Sequence, residues 1–430
     1  MTLSFNNQIP FLTSRQLPGL DLGQGLIPPC YRGYSLVNLP STICGWLGAP
    51  PLGVEPLVEE YLSSFSSSYQ KVILFMIDGL GLNFINRFLE RGDLSIEAPI
   101  WNRLAGQGDV FALTSTSPST TATALTSLWT GRTPAEHGVI GYEMWLKEYR
   151  LVANMVNHSA SAFGGDPGGL RRAGFRPESF LPVPTLGIHL ARYGVSAHSF
   201  QHHTLTHSGL STMLMSGVEN YPYLTQADLW VSLGDLLEKW NRGKLFVNVY
   251  WSELDLLEHR FTSGDRRPIN EFVQFSRQLE SFIDNLSKES RKETLFLFCA
   301  DHGQIPTPPD PQRELVNHPR FNSWLSIQPT CENRLAFLYL RPGIEPALRD
   351  YVHSVWGDDF QLVSSKAALE SGLFGSGDFH PSIADRTGDI VAIAHNGAFW
   401  WWGNRENRQV SRHGGLSGEE MLVPLLLCTL

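Results

Sequence analysis

The sequence predicts an α/β fold built on a doubly wound, mostly parallel sheet. Three observations support this prediction: short apolar runs typical of buried strands, helix-like segments between several of them, and an alternation that continues over more than 300 residues. The apolar runs span 71–81, 195–201, 244–251, 294–303, 334–340 and 389–394, and two helical segments span 226–241 and 267–290. Ligands of such sheets gather at the carboxyl ends of the strands.

The chain divides into an extension and one main domain. Residues 1–70 are rich in Pro, Gly, Ser and Leu and weakly periodic, so we interpret them as an N-terminal extension that packs on the core, with a helix near 55–68. Residues 71–430 form the main domain. Within it, the stretches at about 143–230 and 305–385 are less regular and richer in Gly, Pro and His. We interpret both as insertions that form a cap or lid over the site.

The charge balance limits the classes of partner. The chain of 430 residues has 33 Lys and Arg against 42 Asp and Glu, a formal net charge of −9. This balance predicts no nucleic-acid surface and no binding to an anionic membrane surface. A small anionic substrate is still possible, because bound metal cations outweigh nearby carboxylates. The sequence leaves the oligomeric state open.

The expected location is the cytoplasm. The five cysteines are scattered and form no CxxC pair, so a disulfide framework is not expected and a reducing compartment fits best. The N-terminus has no basic stretch followed by an apolar one, as a signal peptide would. No apolar run approaches the roughly 20 residues that a membrane span needs.

Three apolar runs are followed by acids and histidines. Asp78 ends the first run, where a buried carboxylate needs a partner such as a divalent cation, although a capping Asp is the simpler alternative. Asp301 and His302 lie at the end of the run at 294–303, after its last apolar residue. They could share a metal, or serve as an N-cap and an incidental His. Asp255 and His259 have i,i+4 spacing, which suits one metal or a surface ion pair.

A Ser/Thr-rich turn opens the helical pattern at 121–130. The hydroxyls of Ser119, Thr120 and Thr121 would lie at the helix N-terminus, where backbone N–H groups and the helix dipole favour an anion. The turn is either an ordinary N-cap or a hydroxyl nucleophile beside a phosphate site. His413, before Gly-Gly, indicates little by itself.

Taken in order, these segments resemble the alkaline phosphatase superfamily, and within it the type I phosphodiesterase/nucleotide pyrophosphatase branch. The resemblance covers about 72–428, nearly the whole chain. It implies an alkaline phosphatase-like fold for 71–430. The segments that carry it are IDGLG, PSTTATALTSLWTGRTPAEHGVIGY, DLLEH, ADHG and RHGGLSGEEMLVPLL.

The resemblance implies seven site residues around two divalent ions. One set is Asp78, Thr121, Asp301 and His302, and the other is Asp255, His259 and His413. Thr121 is identified as the nucleophile because it lies nine positions before Thr130 of the Thr-Gly pair, and Thr120 is the alternative if that register is off by one. Zinc is favoured as the metal, with Mn or Mg as alternatives.

The implied reaction is hydrolysis of a small anionic phosphate ester through a phosphothreonine on Thr121, and the substrate is expected to be a phosphodiester or a nucleotide pyrophosphate. The alternatives are a phosphomonoesterase or a phosphonate or sulfate ester hydrolase on the same core, and a non-catalytic metal- or ligand-binding relative. One departure leaves the diester preference open. The branch often has an Asn three residues after the nucleophile to hold a phosphoryl oxygen, and here that position is Ala124.

Several other residues are weighed and left without a catalytic role. An Arg could hold a phosphoryl oxygen instead of the missing Asn, and the candidates are Arg171, Arg172 and Arg334. His137 is expected to be structural. The aromatic run at 400–402 is interpreted as packing rather than as a platform for base stacking. Histidines expected in the cap are interpreted as solvated loop residues, with contact to substrate or to an extra metal as the alternative; they are His202, His203, His207, His318 and His380.

Overall fold

The computed structural model describes residues 8–90, 97–161 and 166–430. Its strands form two seven-stranded sheets and a two-stranded ribbon. The strands are β1 (Lys71–Ile77), β2 (Gly108–Thr114), β3 (Glu143–Leu146), β4 (Leu151–Asn154), β5 (Ser159–Ala160), β6 (Val195–His202), β7 (Glu219–Tyr223), β8 (Lys244–Trp251), β9 (Thr294–Cys299), β10 (Ile305–Pro306), β11 (Leu325–Glu332), β12 (Leu335–Leu340), β13 (Phe360–Ser364), β14 (Ile390–Ala394), β15 (Ser411–Arg412) and β16 (Leu422–Thr429).

Helices surround and connect these strands. The longer ones are Leu39–Trp46, Leu82–Glu90, Thr121–Thr130, Gln226–Lys239, Glu253–Phe261, Arg266–Asn285 and Glu345–Trp356. The shorter ones are Ile9–Thr13, Glu59–Leu62, Ile100–Gly106, Pro134–His137, Leu186–Arg192, Gly209–Leu214, Lys288–Arg291, Pro319–Ser323, Ser365–Glu370, Ile383–Thr387 and Gly418–Met421. In the described parts of the chain, no helix is long and apolar enough to cross a membrane.

The large sheet confirms the predicted α/β class. Its strand order is β2-β16-β9-β1-β8-β6-β7. Six of these strands run in the same direction, and β16 runs opposite to them. The predicted strands at 71–81, 195–201, 244–251 and 294–303 correspond to β1, β6, β8 and β9, the four neighbours at the centre. Every residue of β1 and β9 is buried, which is why both read as continuous apolar runs rather than alternating ones.

The second sheet differs from the expectation for two of the apolar runs. The strands predicted at 334–340 and 389–394 do form, as β12 and β14, but in an antiparallel sheet of order β13-β14-β12-β11-β3-β4-β5. The short connection between β11 and β12 explains their antiparallel pairing. Only Asn333 and Arg334 separate β11 from β12, and a two-residue loop can connect only antiparallel neighbours.

The stretches expected to be insertions contribute to both sheets. Residues 143–161 and 325–364 supply β3–β5, β11, β12 and β13 of the second sheet, whereas 195–223 supply β6 and β7 of the large sheet. The division into extension, main domain and cap stays a prediction.

Residues near the N-terminus contact the large sheet and the loops at its edge. The backbone N–H of Cys30 donates to Thr114 Oγ1 at the end of β2 (2.8 Å), and that of Ile27 donates to the carbonyl of Leu416 (2.7 Å). Leu39–Trp46 packs against Thr121–Thr130. Residues 27–46 therefore support the turn before Thr121 and the loop around Leu416, both of which lie next to candidate site residues.

Candidate active site

Three acids meet at one edge of the large sheet. Asp78 directly follows β1, Asp301 follows β9, and Asp255 lies in the first turn of the helix after β8. Because β9, β1 and β8 are adjacent and parallel, their carboxyl ends lie side by side. Asp78 and Asp301 are buried, and Asp255 is partly exposed toward a cavity.

The first predicted set is brought together around His302. Its Nε2 lies 3.5 Å from Asp78 Oδ1 and 3.5 Å from Asp301 Oδ2. The hydroxyl of Thr121 lies 3.1 Å from the same nitrogen. The four residues come from three separate segments, so only the folded sheet brings them within reach of one ion.

The second predicted set adjoins the first. Asp255 Oδ2 lies 3.4 Å from His259 Nε2, and Asp255 Oδ1 lies 3.9 Å from His413 Nε2. The ring of His413 stacks on that of His302, with ring centroids 3.8 Å apart. All seven predicted residues therefore form one continuous cluster. Ligand atoms within 4.8 Å of one another group as Asp78, Asp301 and His302, and as Asp255, His302 and His413.

Backbone carbonyls orient the three histidines. The Nδ1 atoms of His259, His413 and His302 lie 2.9, 3.1 and 3.3 Å from the carbonyl oxygens of Ser411, Ser119 and Gly303. A carbonyl only accepts, so each Nδ1 carries the proton. In a neutral imidazole with this tautomer, Nε2 is the atom that carries the lone pair for a metal, and here it faces the carboxylates.

Among the residues that the structure describes, no Lys or Arg pairs with the carboxylates of Asp78, Asp255 or Asp301. In the same part of the chain, Asp78 Oδ1 and Asp301 Oδ2 are buried and have no hydrogen-bond partner. Burial, and then the neighbouring charges of Asp301 and Asp255, hold the pKa of Asp78 well above its usual range. Burial likewise raises the pKa of Asp301. Buried like charges with unsatisfied oxygens are stabilised by a cation, so these residues fit divalent ions.

The pKa of His413 is also consistent with a metal-ligand role. Burial, and then the neighbouring His302 and His259, lower the pKa of His413 well below its usual value. The imidazole is therefore neutral, as a metal ligand must be. A mixture of imidazole and carboxylate ligands suits zinc, and the carboxylates also accept Mn²⁺ or Mg²⁺.

Side chains that the motifs did not reveal hold the acids in place. The phenol of Tyr250, near the end of β8, donates to Asp78 Oδ2, and the amide of Gln304 donates to Asp255 Oδ1. The backbone N–H of Gly79 donates to Asp301 Oδ1 at 3.2 Å. Each residue has one sequence signal: Tyr250 lies at a strand end, and Gln304 comes just after Asp-His-Gly.

The structure separates the two threonines of the Ser/Thr-rich turn. Thr121 is the first residue of the helix Thr121–Thr130, and Thr120 is its extended N-cap residue. The first N–H groups of a helix have no partner within it, so they and the dipole favour an anion at Thr121. Thr120 Oγ1 donates instead to Glu332 Oε1, at 2.6 Å. Thr121 is thus the hydroxyl that faces the metal-ligand cluster.

Glu332 comes from the second sheet and was not predicted. It ends β11, directly after Cys331, whose φ of 80° is unusual for a residue with a side chain. The chain at Gly414 approaches it so closely that a Cβ there would lie 2.4 Å from Glu332 Cβ. Burial raises the pKa of Glu332 to about 8. Only the pairing of β11 with β12 places this carboxyl beside Thr120.

A cavity of about 750 Å³ opens over the cluster. Its walls combine metal-ligand candidates with side chains from both sheets and from the predicted cap stretch. Those outside the seven predicted residues include Tyr142, His202, Leu205, Tyr250, Glu332, Trp401 and Arg412. A volume of this size is typical of a small-molecule site.

The three arginines proposed to replace the missing Asn do not reach this cavity. Arg171 pairs with Glu178 and Arg172 with Asp166, both at the surface. Arg334 is buried and pairs with Glu420. The arginine that lines the cavity is Arg412, next to His413, and its guanidinium also donates to Thr307 Oγ1 at 2.6 Å.

The remaining histidines and tryptophans have varied positions. His137 is buried against Ser127 Oγ (2.9 Å), which fits its expected structural role. Trp400 is buried in the core of the second sheet, as expected of packing. Trp401 differs, since it lines the cavity. His202 lines it as well, in contrast to the expectation of a solvated loop residue.

Comparisons with known proteins agree with this geometry. Residues 72–416 match the model of the family described as type I phosphodiesterase / nucleotide pyrophosphatase. No curated protein matches the sequence at a significant level.

Solved structures show the same fold at low sequence identity. Murine ectonucleotide pyrophosphatase / phosphodiesterase 5, as an inactive variant in complex with AMP, is 14% identical, with a TM-score of 0.60 over 83% of this chain and 87% of that one. Phosphonoacetate hydrolase from Sinorhizobium meliloti 1021, in complex with phosphonoformate, is 17% identical, with a TM-score of 0.59 over 84% and 90%.

The family match spans most of the chain, and the site residues inferred from the motifs lie together at one sheet edge. The chain therefore belongs to the type I phosphodiesterase/nucleotide pyrophosphatase family, phosphoester hydrolases of the alkaline phosphatase superfamily.

Proposed function

We propose that the chain is a two-metal-dependent hydrolase of phosphodiesters or nucleotide pyrophosphates that forms a phosphothreonine on Thr121. The observation that carries the proposal is the position of the Thr121 hydroxyl. It lies at a helix N-terminus, 3.1 Å from His302 Nε2, on the edge of a cluster of carboxylates that lack counter-charge.

The ligands would divide into two sets. Asp78, Thr121, Asp301 and His302 would hold one ion, and Asp255, His259 and His413 the other, with zinc favoured and Mn or Mg as alternatives. When bound, two such ions would supply positive charge for the attacking and leaving oxygens and lower the pKa of a coordinated hydroxyl.

The residues of the chain would then act as follows. Thr121 loses its hydroxyl proton to solvent, and its Oγ attacks phosphorus to form the phosphothreonine. The bond from phosphorus to the leaving oxygen breaks in the same step, and the first product departs with that oxygen. The first N–H groups of the helix Thr121–Thr130 face the developing negative charge on the phosphoryl oxygens. Water attacks the phosphothreonine in the second step, which releases the phosphate product and restores Thr121. No separate general base is needed in this scheme.

The solved relatives hold different classes of ligand. The murine relative was solved with AMP and the Sinorhizobium one with phosphonoformate, so both a nucleotide and a small phosphonate fit related folds. A phosphonate hydrolase is thus the second candidate. A phosphomonoesterase or sulfatase would use the same core. A cytoplasmic location remains a prediction.

The test is a substrate panel with defined metals. Chelated and dialysed protein is reloaded with Zn²⁺, Mn²⁺ or Mg²⁺ and assayed on p-nitrophenyl phosphate, bis-p-nitrophenyl phosphate and phosphonoacetate. We expect the highest kcat/KM on the diester, and no turnover by the chelated protein. Absence of bound metal after mild purification, with no turnover on any ester, would indicate a non-catalytic relative.

A further inference from the structure

Two acids of the active-site cavity belong to neither of the two predicted metal-ligand sets. Glu253 and Glu332 line the cavity together with Thr121. Both residues are half-buried, and in the described parts of the chain neither carboxylate forms a salt bridge with Lys or Arg. Glu253 accepts from the backbone N–H of Ser252 at 3.0 Å, at the start of its own helix. The proposed reaction gives neither acid a role.

Glu332 is the acid that lies beside the proposed nucleophile. Its Oε1 accepts from Thr120 Oγ1 at 2.6 Å, and Thr120 directly precedes Thr121. Gly414 packs closely against the side chain of Glu332, which limits its movement. A phosphoryl group on Thr121 would therefore lie at the same end of the cavity as this carboxyl.

The cavity wall offers little positive charge to offset Glu332. Among the lining residues that the structure describes, Arg412 is the only Lys or Arg. Arg412 is 2% exposed, and its guanidinium lies over the ring of Phe399. Its Nη1 donates to Thr307 Oγ1 at 2.6 Å, and its Nη2 donates to Asn407 Oδ1. These contacts hold the guanidinium within the wall, so it contributes little charge to a bound phosphoryl group.

We propose that Glu332 is a specificity-determining residue that favours phosphoryl groups with one negative charge over those with two. This inference rests on the proposed function, since it places the phosphoryl group at Thr121. A carboxylate repels each negative charge of the substrate, and the repulsion is stronger in a partly buried site than in water. The disfavoured substrates are therefore monoesters, and phosphonates that carry a further carboxylate.

The first experiment compares two esters that share a leaving group and differ by one charge. p-Nitrophenyl methyl phosphate carries one negative charge, and p-nitrophenyl phosphate carries two above a second pKa of about 6. Assays at pH 9 keep Glu332 ionised, because burial raises its pKa only to about 8. In metal-loaded Glu332→Gln, the methyl-ester-to-monoester ratio of kcat/KM should fall at least about tenfold, because the carboxylate charge is lost and the charges of ester and metal are unchanged.

Two control variants separate charge from structure. Thr120→Val removes the hydrogen bond to Glu332 and leaves its charge, so the ratio should keep its wild-type value. Glu370→Gln makes the same change of charge at an exposed carboxylate that pairs with Lys366, and the ratio should again be unchanged. If Glu332→Gln does not fold, Glu332→Ala replaces it, because Ala is uncharged as well.

Equilibrium binding measures the same preference without turnover. In metal-loaded Thr121→Ala, calorimetry compares inorganic phosphate, which is mostly a dianion at pH 9, with dimethyl phosphate, which is a monoanion. Adding Glu332→Gln to this protein should tighten the binding of inorganic phosphate at least about tenfold. The binding of dimethyl phosphate should change much less.

An unchanged ester ratio in folded Glu332→Gln would overturn the proposed charge preference, as would an equal fall of the ratio in Thr120→Val. The proposed function would stand in both cases, as long as the methyl ester is hydrolysed. Failure of the wild type on both esters, with phosphate binding that still responds to Glu332→Gln, would instead overturn the proposed function and leave this role of Glu332 intact.

Discussion

The guanidinium of Arg334 and the carboxylate of Glu420 form a salt bridge with no exposed side-chain surface, at 2.7 Å from Nε to Oε1 and 2.9 Å from Nη2 to Oε2. Glu420 also accepts from the backbone N–H groups of Gly415 and Ser417. The pair therefore joins the β11–β12 hairpin, which carries Glu332, to the loop that follows His413.

Replacing Arg334 by Met should strongly destabilise the protein. The change leaves the Glu420 carboxylate buried without its cation, and breaking a buried pair costs about 3–5 kcal/mol in the free energy of unfolding. Urea denaturation measures this loss. Arg408→Met, at an exposed arginine paired with Glu406, should stay within about 0.5 kcal/mol of the wild type. Similar losses in both variants would contradict the importance of the buried pair.

Thr121 and Thr120 should differ sharply as sites of substitution. Thr121→Ala removes the hydroxyl beside His302, so kcat should fall at least about 10³-fold with the fold intact. Thr120→Val removes only the bond to Glu332 and should lower kcat by less than about tenfold. Acid quenching followed by mass spectrometry should find the phosphoryl group on Thr121. A phosphoryl group on Thr120 would place the nucleophile one residue earlier.

Asp78→Asn should change stability in opposite directions with and without metal. In the metal-free protein the raised pKa of Asp78 means that its charged form is disfavoured by folding. That cost appears as pH rises above the ordinary Asp value of about 3.9, so at pH 8 the Asn variant should be more stable by about 1–3 kcal/mol.

Excess Zn²⁺ should reverse the order, because only the wild type keeps the full ligand set. Thermal unfolding in chelator and in Zn²⁺ measures both states. Equal stabilisation of wild type and Asp78→Asn by Zn²⁺ would contradict the assignment of Asp78 as a ligand.

Glu332→Gln should remove a pH-dependent loss of stability. The folded pKa of Glu332 is about 8, above its ordinary value of about 4.3, so the wild type loses stability as pH rises between these values. Gln keeps an acceptor for Thr120 and carries no charge. For the metal-free proteins, we expect equal stability at pH 4 and an advantage of up to about 5 kcal/mol for the variant at pH 9, by urea denaturation. Parallel pH profiles would contradict the raised pKa.

The sequence is enough to expect Asp78, Asp255 and Asp301 at one edge of the sheet, for a physical reason. Asp78, Asp255 and Asp301 each follow a buried parallel strand, and such strands form recognisable apolar runs whose carboxyl ends meet. The motif order then adds Thr121 and His413. The structure places all seven residues in one cluster, and their role as metal ligands stays a prediction.

The walls of the site could not be predicted in the same way. Glu332, Tyr142 and Trp401 depend on how the strands of the second sheet pair, and an apolar run does not reveal its partner. Arg334 illustrates the difficulty, because a cation near a predicted phosphate site is as readily structural as substrate-binding. The buried salt bridge with Glu420 is what shows that Arg334 is structural.

The site's two halves have separate structural origins. The three candidate metal-ligand acids follow strands of the parallel sheet, whereas Glu332 ends β11 of the antiparallel sheet, Tyr142 directly precedes its β3, and Trp401 lies in the segment after its β14. The two halves meet directly at Glu332 and Arg334, through Thr120 and Glu420. Directed evolution of the preference for the organic group of the substrate should therefore spare these two residues and begin with libraries at β3–β5 and 401–405.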